Sequence, residues 1–353
     1  MHILIPGGCG FVGSNLATKL KQNYPNYDIT VLDNLKRRGS ELNIQRLKEH
    51  GIEFVHGDIR NPEDLEGIKA MNLIIDASAE PSVLAGLDGS QNYLINTNFN
   101  GTINCLNLAL KHKADFLFLS TSRVYPINQI DKINFTESDT RFDISEQQPI
   151  PGITPQGIDE TFPLEGYRSL YGATKLASEL VIAEYGNMLG LRTIINRCGV
   201  ITGPYQMGKV DQGVVVLWVA RHYWKKKLAY FGYGGEGKQV RDMLHIDDLY
   251  DLVDYQIHNM DAINGKTFNV GGGLNCSASL KELTQICEQV TGNSIEIGQV
   301  PETRTADIRI YVTNNHKINQ EINWIPKRTP QQIIQDIHNW IHTNEHTLNK
   351  ILN

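Results

Sequence analysis

Tyr171 and Lys175 stand four residues apart in a run, 170–188, whose apolar spacing predicts a helix. Four residues is about one helical turn, so the two side chains share a face. An ammonium beside a phenol favours the phenolate, and such a pair suits reversible proton transfer to and from a hydroxyl. Taken alone, the same two residues read better as a packed ring and a solvated lysine. What precedes them in the chain has to decide.

Gly7, Gly10 and Gly13 form a G-x-x-G-x-x-G run between a predicted strand at 2–5 and a helical pattern at Phe11, Asn15, Leu16 and Leu20. The first two glycines admit a tight turn and close approach by phosphate. The third removes a side chain where helix and sheet must meet, while free N–H groups at the helix start, Phe11 and Val12 included, face a pyrophosphate. Asp33 lies twenty residues beyond Gly13, at the end of a strand at 28–32. A carboxylate there accepts both ribose hydroxyls and repels a 2'-phosphate, which favours NAD over NADP. Arg37 and Arg38 are the contrary signal and read as solvated loop cations. Asp58 and Ile59 follow a strand at 53–56 and suit either the adenine or a strand-end turn.

Strands at 73–76 and 116–120 with a helix at 98–111 between them, then a strand at 192–196, continue the alternation. The expected fold class is α/β: a Rossmann-type, doubly wound, mostly parallel sheet with a smaller mixed α/β substrate-binding domain. Residues 1–196 are expected to be mainly NAD-binding and 197–353 mainly substrate-binding, with 242–275 returning to the first domain. The stretch 126–168 has many turn formers and little periodicity, and reads as a surface excursion or substrate-facing loop. A strand pair is predicted at 228–231 and 238–240, and helices at 214–226, 247–258, 279–289 and 329–342.

With 33 basic and 39 acidic residues among 353, a net charge of -6 does not favour a general nucleic-acid surface. Cys9, Cys105, Cys198, Cys276 and Cys287 are scattered, as reduced core cysteines would be, and no metal-ligand cluster appears. No basic-then-apolar leader opens the chain. The longest apolar run, 214–220, is too short to span a bilayer, so a cytoplasmic setting is expected, with no membrane partner.

Together the glycine run, the Asp58 segment, Thr121-Ser122-Arg123-Val124-Tyr125 and Tyr171-Gly172-Ala173-Thr174-Lys175 resemble the extended short-chain dehydrogenase/reductase family, especially its nucleotide-sugar epimerases. Asn98-Phe99-Asn100-Gly101-Thr102, Val240-Arg241-Asp242 and the segment from Pro301 to Asp307 extend the likeness nearly end to end. The resemblance implies that Tyr171 is the acid/base at a sugar hydroxyl and that Lys175 supports it and holds the nicotinamide ribose. It further implies that Thr121 hydrogen-bonds the reacting oxygen, that Asn34 stands beside Asp33 at the ribose, and that Ala77 and Ala79 pass beneath the middle of the cofactor. Asp76 departs from the family's frequent histidine, and Asn98 matches a structural asparagine. By the same likeness Arg241 and Arg304 contact the substrate's phosphates, Arg123 and Asn196 lie toward the sugar, and helices at 98–111 and 170–188 form a homodimer or a higher homo-oligomer.

Family dehydratases carry acidic help just after the catalytic threonine, where Ser122 and Arg123 stand here. A cation cannot serve as that carboxylate base, so epimerisation of a nucleotide sugar is the expected reaction. Finer likeness at 54–61, at 157–160, in Asp211-Gln212-Gly213 and in the run from Gly237 to Asp242 narrows this to a C2-epimerising branch, with C4 epimerisation of another nucleotide sugar as the alternative.

Overall fold

The computed structural model describes residues 1–87, 89–208 and 213–352, so Asp211 and Gln212 lie outside the described residues. Two compact units share the chain. The first holds Met1–Val124, Leu170–Arg197 and Tyr250–Thr267, and the second holds Tyr125–Ser169, Cys198–Leu249 and Phe268–Asn353.

A seven-stranded sheet organises the first unit. Its strands are β1 (His2–Pro6), β2 (Asp28–Asp33), β3 (Glu53–His56), β4 (Leu73–Asp76), β5 (Asp115–Thr121), β6 (Thr193–Cys198) and β7 (Lys266–Val270), in the order β7-β6-β5-β4-β1-β2-β3. β1 pairs in parallel with β2 and β4, as β2 does with β3 and β4 with β5. The near-continuous apolar runs of β1, β4 and β5 follow from burial on both faces. This is the doubly wound order expected from the sequence, and its strand order reverses between β1 and β4. Parallel strands end on one edge, so the topology brings the residues after β1, β2, β4 and β5 to the side where such sheets bind ligands.

Three helices matter here: α1 (Phe11–Asn23), α2 (Gly101–His112) and α3 (Leu170–Leu189). Cys105, Leu106 and Ala109 of α2 and Ile182 of α3 share a buried cluster with Phe116 and Phe118 of β5. The predicted helix at 98–111 is preceded by a wider π turn, Asn96–Asn100, that seats the side chain of Asn98 in the interior. Such one-turn widenings recur at functional sites.

In the second unit, the predicted pairing of 228–231 with 238–240 gives way to longer-range partners. Leu228–Phe231 runs parallel to Ile297–Val300, while Val240–His245 pairs with Val200–Thr202, Ser277–Ser279 and Ile310–Tyr311. Glycines at positive φ, Gly232, Gly234, Gly235 and Gly237, carry the chain away from a hairpin. The half-polar Ile297-Gly298-Gln299-Val300 gave no strand signal of its own. The 126–168 stretch contains a short helix, Ile127–Ile130, and two small hairpins, Phe135–Glu137 with Phe142–Ile144 and Ile153–Thr154 with Gly157–Ile158. Capping boxes at Ser279 with Glu282 and at Thr329 with Gln332 start the helices Leu280–Thr291 and Pro330–Thr343. Among the described residues no helix is long and apolar enough to cross a membrane.

Candidate functional site

Gly7 leaves β1 at φ +73, and a Cβ there would lie 2.7 Å from both Ala77 O and Ser78 Cα. The turn therefore closes directly against the end of β4. At Gly10 a Cβ would meet only Gly7 O, at 3.1 Å, leaving the space beside it open. Gly13 abuts the turn itself, 2.5 Å from Gly7 O and 2.7 Å from Gly8 Cα, so its missing side chain serves turn-to-helix packing more than helix-to-sheet packing. Gly8, absent from the sequence pattern, is required as well: its Cβ would stand 2.3 Å from Val31 Cβ. Phe11 and Val12 open α1, where N–H groups have no helical acceptor. An open cradle lined by backbone N–H groups fits the pyrophosphate of a dinucleotide.

Asp33 braces this turn from β2. Its Oδ2 accepts the Cys9 N–H at 3.0 Å and its Oδ1 accepts the Leu35 N–H at 2.8 Å. Burial raises its pKa, opposed by these N–H groups. Each carboxylate oxygen retains acceptor capacity for a ribose hydroxyl. Cys9 itself is inert: burial, then the charge of Asp33, push its thiol up to about 12. All five cysteines are buried and free.

Asp58 is held inside its own segment. Oδ1 accepts from Arg60 N and Nε at 3.0 and 2.9 Å, and Oδ2 accepts from Arg60 Nη2 at 2.6 Å and Asn34 Nδ2 at 2.9 Å. Thus Asn34, expected beside the ribose, is tied to Asp58 through its amide, and Ile59 is buried in the core. Burial works to raise the Asp58 carboxyl, but the bonds from Arg60 and Asn34 bring it down to about 2. A depressed folded-state value stabilises the fold above the unfolded value, about pH 4, and that stability is lost as pH falls through about 2. Arg60→Met is expected to lower stability at neutral pH and to flatten its fall between about pH 4 and pH 2, as read from urea unfolding at stepped pH.

Beneath the glycine turn, Asp76 ends β4 fully buried. Its Oδ1 accepts from Ser78 N at 3.0 Å and Ser78 Oγ at 2.5 Å, and its Oδ2 from Thr102 Oγ1 at 3.1 Å. This fixes the backbone of Ala77 to Ala79, and Ala77 N–H also donates to Pro6 O at 3.1 Å. Asn98 extends the frame: its Oδ1 accepts Glu80 N–H at 2.7 Å and its Nδ2 donates to Glu80 O at 3.1 Å. Its carbonyl accepts from Ser178 Oγ of α3 at 3.0 Å. The floor beside Gly7 and the helix carrying Tyr171 are thereby joined within one unit, in the structural role expected of Asn98.

On α3, Tyr171 and Lys175 are both buried, and the Lys175 Nζ lies 3.8 Å from the centre of the Phe118 ring. Thr121 closes β5, and its Oγ1 accepts the N–H of Arg123 at 3.2 Å across the short turn Ser122–Val124. Asn196 is placed differently from the expectation of a sugar contact. It is fully buried, and its amide exchanges two hydrogen bonds with Gln256, at 2.8 and 2.9 Å, because the interior has to satisfy both polar groups.

In the second unit the two expected phosphate arginines differ in their partners. Arg241 donates through Nη2 to Asp307 Oδ1 at 2.9 Å and Ile308 O at 2.5 Å, and through Nη1 to Val240 O at 2.7 Å. Arg304 stacks its guanidinium 3.9 Å over the Phe231 ring, and no carboxylate among the described residues pairs with it. Arg309, unmarked by any motif in the sequence reading, lies 4.2 Å from the Phe135 ring and 5.1 Å from the Tyr233 ring. Ser120, Glu179 and Arg197, also unmarked, form a buried polar cluster in the first unit. Among the described residues no group of acids, histidines and cysteines could hold a metal ion.

A glycine turn between strand and helix, an aspartate ending the next strand, and a threonine, tyrosine and lysine set on one doubly wound sheet are the features of a nucleotide-dependent enzyme scaffold. The NAD dependent epimerase/dehydratase family matches residues 3–271, and the chain belongs to it. It is 31% identical over 351 residues to CDP-paratose 2-epimerase of Salmonella typhi, covering 96% of this chain and 99% of that protein. It is 28% identical over 347 residues to a putative UDP-glucose 4-epimerase of Methanocaldococcus jannaschii, covering 98% and 100%. The solved dTDP-glucose 4,6-dehydratase of Bacillus anthracis str. Ames in complex with NAD is similar in fold, with TM-score 0.76, 27% identity and 100% of each chain covered. The protein is an NAD-dependent enzyme of the epimerase type, the cofactor being the one that the glycine turn and Asp33 predict.

Proposed function

We propose that this chain epimerises a nucleoside-diphosphate sugar through transient oxidation, and that C2 of CDP-paratose, giving CDP-tyvelose, is the position and substrate. The observation that carries epimerisation over elimination is the turn after Thr121, where Ser122 and Arg123 stand and neither is a carboxylate that could remove a second proton. The likeness to a CDP-paratose 2-epimerase over nearly both full lengths supports the particular sugar.

Gly7, Gly10, Phe11 and Val12 would hold the pyrophosphate of NAD, with Asp33 and Asn34 at the ribose, Asp58 and Ile59 toward the adenine, Ala77 and Ala79 beneath its middle, and Lys175 at the nicotinamide ribose. Bound NAD supplies a reversible hydride acceptor. Tyr171 takes the proton of the hydroxyl whose carbon is oxidised, and returns it once the keto-sugar has presented its other face. Lys175 favours the tyrosinate that does this. Thr121, whose oxygen already accepts from Arg123, keeps its own proton for the reacting oxygen. Arg304 suits the diphosphate because its fork is stacked and, among the described residues, no acid pairs with it, and Arg123 suits the sugar or a phosphate. Arg241 would bind an anion through Nε or by giving up Asp307. Anchoring the nucleotide lets the sugar turn without escaping.

Purified, NAD-loaded protein is to be incubated with CDP-paratose or CDP-tyvelose and the anomeric and C2 protons followed by NMR. Interconversion without consumption of added NADH is expected, and its absence would remove this substrate. A C4 epimerase is the second reading, favoured by the likeness to a putative UDP-glucose 4-epimerase; UDP-sugars in the same assay test it. We also propose a homodimer through α2 and α3, on which Leu110, Leu180 and Met188 remain exposed. Light scattering at several concentrations is expected to return twice the mass of the chain. The five free, buried thiols suit the cytoplasmic setting proposed with it.

A further inference from the structure

We propose that the buried Glu179–Arg197 ion pair and Ser120 form a positioning element for the proton-transfer helix, holding α3 in register on β5 and keeping Glu179 from capturing Lys175. The proposal rests on the reading of Tyr171 and Lys175 given above. Tyr171, Lys175 and Glu179 follow one another at four-residue steps along a single face of α3, and all three are buried. A lysine and a glutamate at that spacing ordinarily pair. Here such a pair would draw the ammonium away from the phenol it is meant to support, and the attraction would be strong in the interior.

The carboxylate is instead taken from the other side. Glu179 Oε2 accepts from Arg197 Nη2 at 2.7 Å and Nε at 3.0 Å, and Oε1 accepts from Ser120 Oγ at 2.5 Å and Arg197 Nε at 3.2 Å. A planar guanidinium on a carboxylate is the geometry in which arginine binds most firmly. Ser120 is the residue before Thr121, so this acid ties α3 to the strand that ends in the threonine. Phe118, two residues earlier on β5, lies under the Lys175 ammonium at 3.8 Å. Register between the tyrosine helix and the threonine strand is thus fixed at two points, Lys175 on Phe118 and Glu179 on Ser120. Among the described residues the charged groups in the cluster are Lys175 and Glu179 from α3 and Arg197 from β6.

The test uses the full-length, NAD-loaded protein and two readings: kcat with KM on the nucleotide sugar, and the ultraviolet tyrosinate titration of Tyr171, taken as the difference from Tyr171→Phe. Arg197→Gln releases Glu179 toward Lys175, so kcat is expected to fall about 100-fold, the order of effect of a small misplacement, and the titration midpoint to move to higher pH. Arg197→Gln with Glu179→Gln removes both charges and is expected to recover most of the lost kcat and to restore the midpoint. Ser120→Ala leaves the ion pair intact and is expected to lower kcat about tenfold with KM unchanged. A folded Arg197→Gln with an unmoved midpoint, or a double variant no better than the single one, overturns the proposal in favour of a purely stabilising pair. If Arg197→Gln does not fold, Ser120→Ala decides alone, and unchanged kcat overturns it. A wild-type protein that turns over no nucleotide sugar defeats the functional reading, while the titration, which needs no substrate, still judges the role of Arg197.

Discussion

Tyr171→Phe is expected to lower turnover about 10³-fold while leaving NAD content and the unfolding midpoint unchanged. The substitution keeps a ring of nearly the same volume in a buried position of α3 and removes only the hydroxyl. The neighbouring bond from Thr174 Oγ1 runs to the backbone carbonyl of Tyr171, at 2.8 Å, and survives. A thousandfold loss is about 4 kcal/mol of transition-state stabilisation, far more than one lost packing contact supplies. The expected pattern is a lowered kcat with KM nearly constant, the signature of an interaction made only in the transition state. Lys175→Met is less discriminating, because it is proposed to act on both the tyrosinate and the cofactor ribose and would confound the two. Turnover of Tyr171→Phe equal to that of the natural protein would reject the proton-transfer role.

Short-range features of this fold were readable in the chain, and long-range pairings were not. Gly7, Gly10, Gly13 and Asp33 are legible because one turn dictates residue types at fixed spacing. The same holds for Tyr171 with Lys175 on a single helix turn. Gly8 escaped because its need comes from Val31 on a neighbouring strand and not from the turn. Asn196 is a different case. The family likeness sets it toward the sugar, and its bonds to Gln256, sixty residues away, could not be read from the sequence. Arg241 and Asp307, or Arg197 and Glu179, likewise meet only because the topology brings distant strands and helices together. Alternation of strand and helix announced the sheet. The pairing of Leu228–Phe231 with Ile297–Val300 was hidden because one member lacks an apolar pattern and no sequence neighbour signals it.

Gly7→Ala and Gly10→Ala together separate what the turn does for the fold from what it does for the cofactor. At Gly7 the backbone has φ +73, and the new Cβ would lie 2.7 Å from Ala77 O and Ser78 Cα and 2.8 Å from Ala77 C. Those atoms cannot readily yield. Ala77 N–H is bonded to Pro6 O, and Ser78 is held twice by the buried Asp76 carboxylate. Left-handed strain and backbone collision therefore add, and Gly7→Ala is expected to cost about 3 kcal/mol of stability and to lose NAD binding with it. Gly10 has an ordinary extended conformation, φ -69 and ψ 174, and only Gly7 O at 3.1 Å near its added Cβ. Gly10→Ala is expected to remain within about 1 kcal/mol of the natural protein in urea unfolding. Its methyl, however, would stand in the open cradle, so NAD affinity in a calorimetric titration of cofactor-stripped protein is expected to fall at least about tenfold, some 1.4 kcal/mol. A stable Gly10→Ala protein that binds NAD as tightly as before would mean that the pyrophosphate does not approach this turn, whatever Gly7→Ala does to the fold.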